Sequence, residues 1–159
     1  MADEGSAAAG GAADNCVFCR IFSGALPARV VYEDEETIAF LDHRPLFPGH
    51  VLVSPRQHLV TTHDTPPALA GRLFQVAQLV AGAVEDALGA EGTFLAVNNV
   101  VSQTVAHLHI HVVPRTRGDG LRGFFWPRNP YRDGEHADEV QRRLRETIAR
   151  RLAERAKQG

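Results

Sequence analysis

The segment His107-Leu-His-Ile-His-Val-Val-Pro114 begins with strict alternation of histidine and apolar residues. A strand has period two, so His107, His109 and His111 share one face and Leu108, Ile110 and Val112 the other. The imidazoles then stand in a row, roughly 6–7 Å apart by the strand rise. A polar solvent face is the plainest account, but such faces normally draw Lys, Glu and Thr. A second account is a metal site of the zinc-hydrolase kind, with three histidine ligands and one open position. A third is a nucleophilic imidazole whose neighbours orient it and bind anions. Spacing alone does not separate the last two. Gln103 and Thr104 precede the segment, and Asn98-Asn99 end the stretch before it. These neutral groups are of the kind that hold phosphate oxygens. Carboxylates, expected as outer partners of metal-bound histidines, are missing nearby in sequence.

A second group sits far upstream. Both cysteines of the chain lie in Cys16-Val-Phe-Cys19. This spacing suits half of a zinc site, a redox pair, or two buried thiols on a helix. A redox pair would need a thioredoxin-like βαβ pattern, which the sequence lacks.

The elements that must position these residues can be read from periodicity. Val17, Phe18, Ile21 and Phe22 have helical spacing, ended by Gly24 and Pro27. Residues 29–33 and 37–42 read as strands around an acidic turn, and residues 50–54 as a third. Pro66-Pro67 opens a long helix with apolar Leu69, Leu73, Val76, Leu79, Val80, Ala83 and Leu88, and Gly89 stops it. Residues 93–98 and 107–114 complete about five strands. Val140, Leu144, Ile148 and Leu152 recur every four residues and predict a basic amphipathic C-terminal helix over 136–159. Residues 1–15 hold six Ala and three Gly without a patterned face, which predicts a disordered tail. The sum is an α+β domain over 16–135, built on a mostly antiparallel sheet.

Composition narrows the function classes. The chain has 159 residues, enough for one domain with a core of its own. The net charge of −2 gives no general nucleic-acid surface. No run approaches 18 apolar residues, so no membrane span is expected. Residues 1–15 lack the basic start and apolar run of a signal peptide. A cytoplasmic location follows as the expectation.

At this point the residues resemble a known family. Ser102-Gln-Thr-Val-Ala-His-Leu-His-Ile-His-Val-Val-Pro-Arg115 resembles the signature of the histidine-triad (HIT) superfamily. So do Cys16-Val-Phe-Cys-Arg-Ile-Phe-Ser-Gly-Ala-Leu-Pro-Ala28, Val31-Tyr-Glu-Asp-Glu-Glu-Thr-Ile-Ala-Phe-Leu-Asp42 and Pro48-Gly-His-Val-Leu-Val-Ser-Pro-Arg-Gln-His58. The likeness covers about residues 16–126. It implies a HIT fold, a homodimer joined by the long helix and an edge strand, and a purine nucleotide substrate.

The resemblance also implies roles. The middle histidine, His109, would attack the α-phosphorus and form a nucleotidyl-histidine that water resolves. His111 would bind phosphate and help protonate the leaving group. Gln103 and Thr104 would hydrogen-bond phosphate oxygens and the bridging atom, with Asn98 beside them. One well-placed donor of this kind can contribute roughly 2.7–4 kcal/mol. Asp42 would receive the ribose hydroxyls, and Ile21, Phe22, Phe40 and His50 would surround the base. Transferase relatives carry Gln at the third triad position, so His111 favours a hydrolase of the Hint-like or diadenosine-polyphosphate type. The family's usual Gly before the Gln is Ser102 here, and the loop from Asn98 to Gln103 is short.

Many bacterial relatives hold a structural zinc, which implies Cys16, Cys19, His58 and His107 as a closed Cys₂His₂ set. A closed set has no open position, so the resemblance gives zinc a structural role and leaves His109 and His111 metal-free. Trp126, after Phe124-Phe125, loosely resembles a tryptophan that reaches the partner's active site in Hint-like relatives. Two rival readings stand beside this one. The first is a zinc-dependent hydrolase with the triad as ligands. The second is a nucleotide-binding scaffold with vestigial activity.

Overall fold

Asp34 shows how the first hairpin closes. Its Oδ1 accepts the N–H groups of Glu36 and Thr37 and the Thr37 hydroxyl, at 2.7–2.9 Å. In this computed structural model the turn joins strands β1 (Val30–Glu33) and β2 (Thr37–Leu41). The structure describes residues 13–121 and 129–157. The chain forms two compact units, Met1–Asp119 and Gly120–Gly159.

In the first unit, a short helix α1 (Val17–Phe22) precedes the hairpin. Strand β3 (Val51–Pro55), helix α2 (Pro67–Leu88), and strands β4 (Gly92–Val97) and β5 (Ile110–Arg115) follow. The five strands form one antiparallel sheet in the order β1-β2-β3-β5-β4. The expected α+β architecture is what the structure has.

Helix α2 begins at Pro67, whose fixed φ suits the first turn, and ends at Gly89 in the left-handed conformation (φ +68°). It is long and apolar enough to cross a membrane by length and composition. Here it buries Leu69, Leu73, Val76, Ala77, Val80 and Val84. These pack with Ala39, Val51, Val53, Leu108, Ile110 and Val112 of the sheet. Leu79 and Leu88, expected on the same face, are exposed. The second sheet face buries Ile38, Phe40 and Leu52 against Cys16 and Phe18.

The histidine segment departs from expectation at its start. Strand β5 begins at Ile110, three residues after His107. The ladder from both neighbours ends there, with Val53 and Val97 each opposite Ile110. Residues 107–109 are held by other means. Leu108 donates its N–H to the Leu59 carbonyl at 2.6 Å, and the Ser54 hydroxyl donates to the Leu108 carbonyl at 2.8 Å. The two-faced division of the segment survives. Its histidine face is not a solvent face, because α1 and its aromatic residues cover it.

The boundary between units also differs from the expected one after residue 135. It falls at Asp119, where Arg115 Nε and the Thr116 N–H bond to the Asp119 carboxylate between Gly118 and Gly120. Both glycines have positive φ, so the chain turns sharply there. Within the second unit, helix α3 (Gly134–Ala156) starts two residues earlier than expected. Asp133 is the reason, since its carboxylate accepts the His136 N–H at 2.7 Å. Leu144, Ile148 and Leu152 are exposed. Of the expected tail, residues 1–12 lie outside the described residues. Residues 13–15 form a helical turn instead, closed by the Cys16 N–H on the Ala13 carbonyl at 3.1 Å. Phe124, Phe125 and Trp126 also lie outside the described residues.

Candidate functional site: two clusters on one histidine face

His107 is fully buried (0 % exposed), and its ring faces the cysteines. Its Nδ1 lies 3.4 Å from Cys16 Sγ and 3.6 Å from Cys19 Sγ. His58 Nδ1 lies 3.3 Å from Cys19 Sγ. One ligand atom from each of the four residues lies within 4.8 Å of all the others. Two sulfurs and two imidazoles form a donor set that suits zinc. On its far side His107 donates Nε2–H to the Pro55 carbonyl at 2.8 Å, the outer-partner arrangement of metal-bound histidines. Burial lowers the His107 pKa to about 4, so Nδ1 keeps its lone pair at neutral pH. Burial and the neighbouring Cys16 thiol push Cys19 up to about 11. Two thiolates would need a cation between them. The four residues therefore fit the zinc site that the resemblance implies.

His109 is 5 % exposed and turns the other way. Its Nδ1–H donates to the carbonyl of His107 at 2.7 Å. That bond fixes the tautomer and leaves Nε2 with the free lone pair. Burial lowers its pKa, which keeps the ring neutral.

His111 takes its tautomer from His50. The Leu46 N–H donates to His50 Nδ1 at 3.2 Å. His50 must then carry its proton on Nε2, and it donates this to His111 Nδ1 at 3.0 Å. His111 is left with a proton on Nε2. Burial, then the neighbouring His109 and His50, lower the His111 pKa to about 4. Asp42 Oδ2 lies 3.6 Å from His50 Nδ1, too far for a hydrogen bond, while Asp42 Oδ1 accepts the Arg44 N–H at 2.9 Å.

His109, His111, His50, Asp42, Thr104, Ile21 and Phe40 line a cavity of about 660 Å³. This volume suits a nucleotide-sized ligand. The cavity's polar lining includes the three imidazoles, Asp42 and Thr104. Three expected substrate residues contribute nothing to the lining. Phe22 packs against Phe18, Phe40 and His107 instead. Gln103 donates to the Val60 carbonyl at 2.6 Å and accepts the Val100 N–H at 2.9 Å. Asn98 donates to the Ser102 carbonyl at 3.3 Å.

Loop strain explains the last two. Val100 (φ +69°) and Ser102 (φ +61°) both sit in the left-handed region. Glycine is the residue that adopts it freely, and a β-branched valine there is costly. The short loop is held by side chains: Asn98, Gln103, and Asn99, which bonds Thr62 twice at 2.7 and 2.9 Å. These residues are spent on the loop.

Sequence reasoning missed other lining residues. Leu26, Pro27, Ala28 and Arg29 come from the α1–β1 loop. Val17 and Phe18 come from α1 itself. In sequence, Pro27 reads only as a helix stop. The position of Phe18 between the two cysteines was the available signal, since any site that fixes the cysteines also fixes Phe18.

An antiparallel five-stranded sheet with a buried histidine row beside a nucleotide-sized cavity defines a class, and the chain belongs to it: the HIT domain family, whose model matches residues 23–118. A HIT-like protein of Mycobacterium tuberculosis is 38% identical over 143 residues, covering 87% of this chain and 96% of its own. The crystal structure of a Zn-bound histidine triad family protein from Mycobacterium smegmatis is similar at a TM-score of 0.66 and 39% identity. That match covers 86% of this chain and 98% of the other. The adenosine 5'-monophosphoramidase of Schizosaccharomyces pombe is 30% identical, covering 73% of this chain and 86% of its own.

Proposed function

We propose that the protein hydrolyses a phosphoramidate or phosphoanhydride bond at the α-phosphorus of a purine nucleotide, through a nucleotidyl intermediate on His109. The observation that carries this reading is the His109 Nδ1–H bond to the His107 carbonyl at 2.7 Å, which reserves Nε2 for attack. The activity named for the fission-yeast relative supports the same chemistry.

His109 Nε2 forms a bond to phosphorus as the bond to the leaving amine or phosphate breaks. His111 Nε2–H hydrogen-bonds the leaving atom, so the amine departs with the protons it already carries, or the phosphate departs as an anion. Water then attacks phosphorus, the N–P bond breaks, the His109 Nε2 lone pair is restored, and the water's proton leaves with the nucleotide product to solvent. The Thr104 hydroxyl donates to a phosphate oxygen as charge develops. Asp42 accepts the ribose hydroxyls, and Phe18, Ile21 and Phe40 enclose the base. Cys16, Cys19, His58 and His107 would hold a zinc ion, which would supply charge for two thiolates and tie α1 to the sheet. A triad that binds one catalytic metal fits poorly, because the His107 ring faces the cysteines and His109 Nδ1 faces a carbonyl.

The test is rapid acid quench with labelled adenosine 5'-phosphoramidate. A covalent adduct that His109→Ala abolishes is the expected result. No adduct and no turnover across several nucleotides would make the protein a nucleotide-binding scaffold.

The exposed Phe74 of α2 (62 %) and Val97 of β4 also support a homodimer through these two elements. Phe74→Glu should convert a dimer to a monomer in light scattering. A wild-type monomer at micromolar concentration would overturn that assembly.

A further inference from the structure

The two clusters are joined twice. The first link is His107 itself: its ring faces Cys16 and Cys19, and its carbonyl takes the proton that fixes the tautomer of His109. The second is Phe18, which sits between the two cysteines on α1. The Phe18 ring packs edge-on to His109 at 5.2 Å between centroids, and at 5.7 Å from His107. Val17, Phe18 and Ile21 of the same helix form one wall of the cavity.

A six-residue helix has little stability alone. Two of its flanking or internal residues, Cys16 and Cys19, are candidate ligands. What fixes those cysteines fixes the wall.

We propose that His107 and Phe18 are positioning residues through which the Cys16–Cys19–His58–His107 cluster sets the tautomer of His109 and the shape of the nucleotide wall. The metal takes no part at phosphorus. Its loss frees α1 and the His107 ring nitrogen that faces the sulfurs, and leaves the bonds of His107 to Pro55 and of Leu108 to Leu59 to hold the segment alone, so the nucleophile and the base wall loosen together. The resemblance confines zinc to stability; this inference extends its reach to the nucleophile. It rests on the function proposed above.

The experiment uses the full chain labelled with ¹⁵N-histidine, with zinc bound and after removal by a chelator. Long-range ¹H–¹⁵N correlation reads the tautomer of each ring, and calorimetry reads affinity for adenosine 5'-monophosphate. With zinc, His109 should hold its proton on Nδ1 alone. Without zinc, both tautomers should appear and affinity should fall about 10-fold or more, as when outer-shell partners are lost. An unchanged His109 tautomer and unchanged affinity on zinc removal would overturn the proposal, as would a chain that takes up no zinc.

Should the zinc-free chain unfold, Phe18→Leu in the zinc-loaded chain replaces it. That variant should keep one zinc per chain, perturb the His109 signals and weaken nucleotide binding. Unperturbed signals and full affinity would overturn the proposal. The acid-quench result stands apart: an adduct without tautomer coupling refutes only this inference, and coupling without an adduct refutes only the proposed reaction.

Discussion

His107 and His111 lie on the same face of one extended segment, and burial lowers both to a pKa near 4. Their surroundings are nonetheless opposite. His107 has two sulfurs at one nitrogen and a carbonyl at the other. His111 has another imidazole at Nδ1 and an open cavity beside it. Residue type and titration do not tell the two apart. The partner of each ring nitrogen does, because it decides where the proton sits and so whether the free nitrogen gives or takes one.

The largest expected effect tests whether the two ends are separate sites. His109→Ala should lower kcat by at least about 10⁴-fold, as loss of a nucleophile does in other hydrolases. Zinc content should stay at one ion per chain, by elemental analysis. Loss of zinc with His109 would merge the two ends into one metal site.

His50 sharpens the cavity end. His50→Leu keeps an apolar side chain in the buried space but removes the donor to His111 Nδ1. His111 can then move its proton away from the leaving group. We expect kcat to fall about 10- to 100-fold with little change in KM or zinc content. A fall in KM affinity alone would make His50 a base-binding residue, as the family resemblance has it.

Asp34 provides a contrast remote from both ends. Burial alone would raise its carboxyl. The Arg72 guanidinium, the N–H groups of Glu36 and Thr37 and the Thr37 hydroxyl instead hold it well below the ordinary carboxylate range. A depressed carboxyl adds stability above about pH 4 and loses it as pH falls towards the folded-state value. Asp34→Asn should therefore lower Tm by a few degrees at pH 7, and the gap should shrink towards pH 2. Turnover and zinc content at pH 7 should match wild type. This outcome would separate a loss of stability from a loss of either site.

Much of this was legible in the sequence. Period-two alternation divided the histidine segment, and Pro67 and Gly89 marked the ends of α2. The alternating residues 107–109 lie outside the strand because alternation reports faces, while a ladder needs neighbours. Before Ile110 the neighbours are a serine hydroxyl and a loop carbonyl. From spacing, Phe18 reads only as part of a helical face, because helical periodicity carries no information about which side of that face borders a cavity. Gln103 and Asn98 were assigned by resemblance, and here two positive φ angles turn them back onto their own loop.

That loop gives the smallest effect. Val100 is 72 % exposed, so no packing offsets its left-handed backbone. Strain of this kind costs of order 1–3 kcal/mol, and glycine relieves it while adding freedom to the unfolded chain. Val100→Gly should therefore raise stability by about 1 kcal/mol or less in denaturant unfolding. The Gln103 bond to the Val100 N–H would no longer be needed to hold the turn. If Gln103 then reaches the phosphate end beside Thr104, kcat/KM should rise as well. A gain in stability with no gain in kcat/KM would leave Gln103 a loop residue, and the proposed phosphate contacts with His111 and Thr104.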